Sequence, residues 1–402
     1  MINLELPGKI TRLADSARMA AEQVLRPISR KYDRAEHQYP KELDMLVAAM
    51  EGMSAGDKTN AAGATAGAGQ SSCVDGEVRN GANMQTVVGV EQMCWGDVGL
   101  LLSMPRNGLG NAAIAAVAND EQKSRFDGKW AAMAITEPGT GSDSANIKTT
   151  ATESGEHYVL NGEKIYVTAG ERAELVVVWA TLDKNLGRAA IKSFVVEWGT
   201  PGMQLTRLEK KLGIRASDTA AISFSDCKVP KENLLGSATI DSKKSFAGVM
   251  QTFDNTRPMV AAMAVGCARA ALERTQELLA DKVLLDYATP VFSGSAAAAE
   301  LYRMEADLEA ARLQVLKAAW LADNGKPNSL EASMCKAKAG RVGNAITLRC
   351  VELCSAAGYA EEELLEKWAR DSKIIDIFEG TQQIQQLIVA RRLLGLSSKE
   401  LK

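Results

Sequence analysis

Phe378-Glu379-Gly380-Thr381 sets one carboxylate in a glycine turn just ahead of an apolar helical stripe at Ile384, Leu387 and Ile388. A carboxylate there can remove a proton from substrate if burial raises its pKa toward neutrality. A glutamate near a helix N-terminus is also commonly a cap. A second segment, Ala134-Ile-Thr-Glu-Pro-Gly-Thr-Gly-Ser-Asp143, packs proline, two glycines and hydroxyls into one turn. Such a turn lets a ligand approach backbone N–H groups closely, because glycine has no Cβ; taken alone it is equally a surface turn. The only histidines are His37 and His157. They are too few for a three-histidine zinc site, and a Ser-His-Asp hydrolase would need one of them correctly placed. Carboxylates or a bound cofactor are therefore the expected source of chemistry.

The elements that must position these residues divide the chain into three. Its 402 residues suggest roughly two to four domains. Leu13, Ala20, Val24 and Ile28 recur at helical spacing, and Leu43–Met50 forms a second apolar stretch. Residues 54–71 hold no large apolar side chain and are rich in Gly and Ala, which predicts a flexible loop. From residue 146 to 226 the pattern changes to short alternating or β-branched runs, at 148–152, 157–160, 164–168, 174–180, 191–197 and 220–224. Asn161-Gly162 between two of them is a hairpin signal, and the region is expected to be a compact antiparallel β domain. Helical period returns with Phe253, Val260, Ala264, Cys267 and Ala271, then Leu301 to Val315, then Met334, Ala337, Val342 and Ala345, which predicts a helical bundle. The boundaries fall near 1–128, 129–239 and 240–402.

Composition narrows the partners. The 47 Lys+Arg and 50 Asp+Glu leave a net charge of −3, which argues against nucleic acid or an anionic membrane. The longest purely apolar run, Leu175–Ala180, is too short to span a bilayer. Seven scattered cysteines without a CxxC pair read as reduced, buried thiols. With no secretory h-region at the N-terminus, a cytoplasmic protein is expected.

The turn at 134–143, together with 158–170 (YVLNGEKIYVTAG), 211–236 (KLGIRASDTAAISFSDCKVPKENLLG), 253–272 (FDNTRPMVAAMAVGCARAAL) and 370–395 (RDSKIIDIFEGTQQIQQLIVARRLLG), resembles the acyl-CoA dehydrogenase family in order and spacing. The resemblance implies an α+β flavoprotein: an N-terminal helical domain, a middle β domain and a C-terminal four-helix bundle around FAD. It implies removal of the α-proton of an acyl-CoA thioester, transfer of the β-hydride to flavin, and delivery of electrons to electron-transfer flavoprotein. Matched residue by residue, it makes Glu379 the base, its backbone N–H helping to polarise the thioester carbonyl. The family's alternative base position, immediately before the arginine of the RP element, is Thr256, which cannot serve. Ile135, Thr136, Gly141 and Ser142 match the flavin-contacting loop. Tyr166 stands where the family usually has Trp, although a half-buried strand aromatic is the bland reading, and Thr168 matches the hydroxyl two residues on. Thr381 and Gln383 match further FAD contacts. Arg257 matches an arginine near the CoA portion, with Ser142 at the same entrance; otherwise an arginine there is ion-paired or solvated.

Two elements depart from the family. The Arg-x-x-Phe-Gly element is absent from Asp281–Ala297, and Gln-x-x-Gly-Gly is replaced by Glu352-Leu-Cys-Ser-Ala356. Both are elements that the family contributes to a neighbouring subunit's FAD. A glutamate beside a pyrophosphate is repulsive, and alanine lacks the close backbone approach of glycine. The expectation is pairing with a homologous subunit as α2β2, with a homotetramer as the alternative. An oxidase using O2 and a non-catalytic scaffold subunit are the competing functions.

Overall fold

The structure, a computed structural model, describes residues 6–53, 81–106, 108–240, 247–283, 285, 294–397 and 400–401. The loop expected at 54–71, and Cys73, lie outside these residues, as does much of Asp281–Ala297.

Among the described residues, seven helices precede the sheet: α1 (Gly8–Ala20), α2 (Arg26–Arg34), α3 (Glu42–Met53), α4 (Ala82–Gly96), α5 (Val98–Leu101), α6 (Leu109–Val117) and α7 (Asp120–Phe126). A π-helical turn, Ala21–Leu25, joins α1 to α2. It rotates the apolar stripe by one position: Ala21, Leu25 and Tyr32 are buried, and Val24 and Ile28 flank them.

The strands are β1 (Ala131–Ala134), β2 (Thr150–Ser154), β3 (His157–Thr168), β4 (Leu175–Thr181), β5 (Ile191–Glu197), β6 (Met203–Leu208) and β7 (Thr219–Pro230). They form one sheet in the order β1-β4-β2-β3-β7-β6, with β5 also on β4. The expected antiparallel domain is therefore mixed, because β1 runs parallel to β4 and β2 meets β4 in parallel at Thr150↔Thr181. Every residue of β4 is buried, so its apolar run marks a central strand covered on both faces. The Asn161-Gly162 hairpin does not form. Both residues lie inside β3, and the β2–β3 turn is at Gly155-Glu156, closed by Ser154↔His157. Gly162 instead sits at a bulge, with φ 152°, where a Cβ would come within 2.5 Å of Thr149 Oγ1.

A buried ion pair fastens the sheet to the turn at 134–143. Lys164 Nζ donates to Glu137 Oε1 at 2.8 Å and to the Ile135 carbonyl at 3.1 Å. Glu137 also accepts the amides of Lys148 (2.6 Å) and Thr149 (2.9 Å) and the Thr149 hydroxyl (2.6 Å). Lys164 and these donors hold the Glu137 carboxyl down to about 2, whereas burial lowers Lys164 to about 8. The pair is charged at neutral pH.

The remaining helices are α8 (Ala247–Leu279), α9 (Ala296–Asp323), α10 (Ser329–Tyr359), α11 (Leu365–Ile375) and α12 (Gln382–Leu394). The predicted α10 stripe is displaced: Met334 and Ala345 are exposed, and the buried face carries Ala332, Cys335, Ala339, Val342, Ile346 and Cys350. Small residues dominate that face, so hydrophobic size is a poor guide to its direction. Asp323 at the end of α9 caps the start of α4, accepting the amides of Gly81, Asn83 and Met84 at 3.0, 3.0 and 2.9 Å. Lys367 on α11 lies fully buried between Asp97, at 2.7 Å, and Asp371. Asp97 caps α5 through the Leu100 amide, and Asp371 takes the Ile214 amide from the loop before β7. One ammonium thus joins the N-terminal helices, the sheet's rim and the bundle.

The α10 axis breaks at Ser355, where φ is 52° and ψ −124°. This backbone belongs to glycine, and it falls where the family pattern carries its first glycine.

Two stability outcomes follow from these contacts. Glu137→Gln, which leaves the Lys164 ammonium buried without its anion, should cost about 3–5 kcal/mol in denaturant unfolding. Lys164→Met, which leaves Glu137 its other donors, should cost clearly less; equal losses would remove the ion-pair account. Ser355→Gly should stabilise by about 1 kcal/mol, read as a higher Tm, because strain of this kind costs about 1–3 kcal/mol and the added glycine entropy offsets part of it.

Candidate active site

Glu379 occupies the apex of the corner between α11 and α12. As α11 ends, Ile377 and Phe378 both donate to the Ile374 carbonyl at 2.8 and 3.0 Å, tightening the last turn. Glu379 and Gly380 then take left-handed φ values of 57° and 92°, which turn the chain into α12. Thr381 is the cap of α12, accepting the Ile384 amide at 3.4 Å. The cap role considered for Glu379 therefore belongs to Thr381, and the glutamate is free to point elsewhere.

It points at α8. Thr256 Oγ1 donates to Glu379 Oε2 at 2.7 Å. Thr256 and Arg257 are buried, and so is Lys336 on α10. Desolvation pushes the Glu379 carboxyl above the ordinary carboxylate range, opposed by the Thr256 hydrogen bond and by the charges of Arg257 and Lys336. Position 256, which carries no carboxylate, thus serves as a hydrogen-bond donor to the Glu379 carboxylate. The Glu379 N–H has no backbone carbonyl partner among the described residues.

Arg257 is ion-paired here. Its Nη1 lies 2.6 Å from Asp254 and 3.4 Å from Ser333 Oγ, while its buried Nε has no hydrogen-bond partner among the described residues.

Sequence reasoning missed two residues here. Lys336 Nζ donates to the Gly380 carbonyl at 2.7 Å. Gln385 Nε2, on α12, donates to the carbonyls of Glu379 at 3.0 Å and Gly380 at 3.1 Å. The signal for Lys336 was present: a lysine beside Cys335, within the apolar arc once the α10 stripe is set correctly.

The turn at 134–143 forms a second group on the sheet. Glu137 and Thr140 exchange backbone hydrogen bonds at 3.2 and 3.1 Å, closing a tight loop around Pro138-Gly139. The Thr136 carbonyl accepts the Ile165 amide at 2.9 Å, which brings β3 alongside. The next residue, Tyr166, is 62% exposed with φ 57°, at a bulge between Lys164 and Val167. It is not the half-buried strand aromatic of the bland reading. Thr136 and Thr168 are half-buried, and Gly141 and Ser142 are exposed. An exposed aromatic beside hydroxyls and a glycine turn suits a planar ligand with polar edges.

Phe253 links the two groups. It packs against the core cluster that contains Ile135, and its carbonyl accepts the Thr256 hydroxyl at 3.4 Å, one step from Glu379. Thr381 and the exposed Gln383 lie at the start of α12. No hydrogen bond or ion pair among the described residues joins them to the 134–143 turn.

Among the described residues no helix is long and apolar enough to cross a membrane, and no cluster of potential metal ligands forms. The six cysteines among the described residues are free and buried.

Residues 132–227 match the family model of the acyl-CoA dehydrogenase middle domain, and residues 246–394 that of its C-terminal domain. The chain is 32% identical over 403 residues to the short-chain specific acyl-CoA dehydrogenase, mitochondrial, of Rattus norvegicus, covering 98% of this chain and 92% of that protein. Its structure is similar to butyryl-CoA dehydrogenase from Megasphaera elsdenii, with a TM-score of 0.83, 30% identity, and 98% and 100% of the two chains covered. It is also similar to a chain from structural work on the electron transferring flavoprotein of Acidaminococcus fermentans, with a TM-score of 0.81, 29% identity and the same coverage. With a dehydrogenase relative matched along nearly its whole length, the chain belongs to the acyl-CoA dehydrogenase family.

Proposed function

We propose that this chain oxidises an acyl-CoA thioester between its α- and β-carbons, with Glu379 as the base. The observation that carries the reading is the half-buried Glu379 carboxylate, bonded to the buried Thr256 hydroxyl from a strained turn, its pKa raised by burial. Family members are FAD-dependent flavoproteins, and bound FAD would supply the hydride-accepting chemistry here. The residues that would hold it are Ile135, Thr136, Gly141 and Ser142 on the turn, Tyr166 and Thr168 on β3, which the Ile165–Thr136 hydrogen bond brings alongside, and Thr381 and Gln383 at the start of α12.

Glu379 takes the α-proton, and desolvation makes it a stronger base than a solvated carboxylate. Its N–H, which has no backbone acceptor among the described residues, is available to the thioester oxygen and would acidify the α-carbon. The Thr256 hydroxyl limits the carboxylate's rotation. Arg257 places a positive charge beside the base, and Arg257 and Ser142 are our candidates for the CoA side. Short-chain and butyryl-CoA enzymes among the relatives make butyryl-CoA the first substrate to test.

We place the enzyme in an α2β2 complex with a homologous chain, with electron-transfer flavoprotein as acceptor, in the reducing cytoplasm. Support for the complex is the degraded pair of trans elements: Glu352 is paired with Arg349 and exposed, and Ser355 carries a strained backbone where glycine is expected. The free, buried cysteines support a reducing compartment.

Glu379→Gln should lower kcat on acyl-CoA with an artificial acceptor by about 10²–10⁴-fold while FAD is retained. Unchanged turnover would instead favour a scaffold subunit. Because the base works only when ionised and its pKa is raised above 4.5, kcat/KM should fall as pH drops through that raised value. A limb at or below 4.5 would contradict the desolvated site. The chain expressed alone should hold less than one FAD per subunit, and co-expression with a homologous subunit should restore it. Full occupancy in a homotetramer would overturn the heteromer.

A further inference from the structure

Buried lysines are costly unless paired. Lys367 and Lys164 each meet a carboxylate directly. Lys336 does not: it is 1% exposed, makes no ion pair among the described residues, and spends its hydrogen bond on one backbone carbonyl, that of Gly380. That carbonyl is the one just after the strained Glu379. Gln385, fully buried, converges on the same place from another helix.

We propose that Lys336 is a positioning residue for Glu379, latching the Glu379–Gly380 turn together with Gln385 and setting the field at the carboxylate. This rests on the reading of Glu379 as the base.

The geometry supports two separable effects. The first is conformational. A non-glycine residue at φ 57° persists only when its surroundings over-determine it. Two donors from α10 and α12 pin the two carbonyls that follow the glutamate side chain. The fit is close, since a Cβ on Gly380 would lie 2.4 Å from Gln385 Nε2. The second is electrostatic. The charged groups acting on Lys336 are Asp376 after α11, Glu379 in the turn and Arg257 on α8. The Lys336 ammonium stabilises the ionised Glu379 and opposes the desolvation that raises it. Gln385, being neutral, contributes only the first effect.

The test uses the FAD-loaded enzyme in its native assembly, with butyryl-CoA as probe. It compares wild type with Lys336→Met, Lys336→Arg and Gln385→Leu. Lys336→Met should lower kcat about tenfold or more, with KM, FAD content and Tm little changed, and should move the acidic limb of the kcat/KM profile to higher pH. Lys336→Arg should recover most of the rate and the limb. Gln385→Leu should lower kcat without moving the limb. Exchange of the substrate α-proton with deuterated water should follow the same order. A Lys336→Met enzyme with wild-type kcat and limb overturns the proposal, as does a rate loss with an unmoved limb that Arg fails to rescue. If Lys336→Met does not fold, Lys336→Gln supplies the reading: a lowered kcat with the limb displaced to higher pH supports the proposal, and wild-type kcat and limb overturn it. Glu379→Gln separates the two levels. If it is inactive while Lys336→Met is normal, only the latch fails; if it is active, the base reading fails first.

Discussion

The arrangement depends on a buried ammonium, Lys367, between the carboxylates of Asp97 and Asp371. Each partner does a second task that the ion pair makes possible. Asp97 caps α5 and accepts the Ser29 hydroxyl from α2, and Asp371 takes the Ile214 amide. Taking three charges out of water is expensive, and the cost is recovered only with good geometry and satisfied lone pairs. The neighbouring backbone is correspondingly tight: a Cβ on Gly213 would lie 2.4 Å from the Arg370 backbone. Arg370 adds a second tie, to Asp33 on α2 and to the Leu212 carbonyl. With α11 fixed in rotation and depth, the corner that follows it delivers Glu379 to Thr256.

The site itself is made from backbone conformations that side chains normally avoid. Tyr166, Glu379 and Ser355 all have positive φ. At Tyr166 the bulge turns an aromatic ring out of a strand whose neighbours, Ile165 and Val167, are buried. At Glu379 the same conformation turns a carboxylate away from capping its own helix. Strain of this kind lasts only where packing leaves no alternative, and both positions have such support: the Lys164–Glu137 pair beneath Tyr166, and Lys336 with Gln385 beneath Glu379. Ser355 is the contrast, since its side chain and strain face solvent.

Much was legible in the order of residues. The helix–sheet–helix sequence, the β4 core strand and the carboxylate before α12 follow from local pattern, and local pattern survives folding when it matches the core. The Asn161-Gly162 hairpin failed because the same dipeptide serves a bulge, and only contact with Thr149 distinguishes the two uses. The α10 stripe failed because alanine, glycine and cysteine bury well without announcing a face. The parallel pairing of β1 with β4 joins segments some forty residues apart, beyond any short-range signal.

By itself the sequence determined the family resemblance, the identity of the proposed base and the exclusion of histidine chemistry, because these depend on which residues are present and on short spacings along the chain. Tertiary structure alone decided that Glu379 is bonded to Thr256, that Lys336 donates to the adjoining Gly380 carbonyl, and that Lys164 rather than solvent answers Glu137. The reason is physical. Proton affinity depends on the dielectric and the charges within a few ångströms, and those neighbours come from helices and strands distant in sequence.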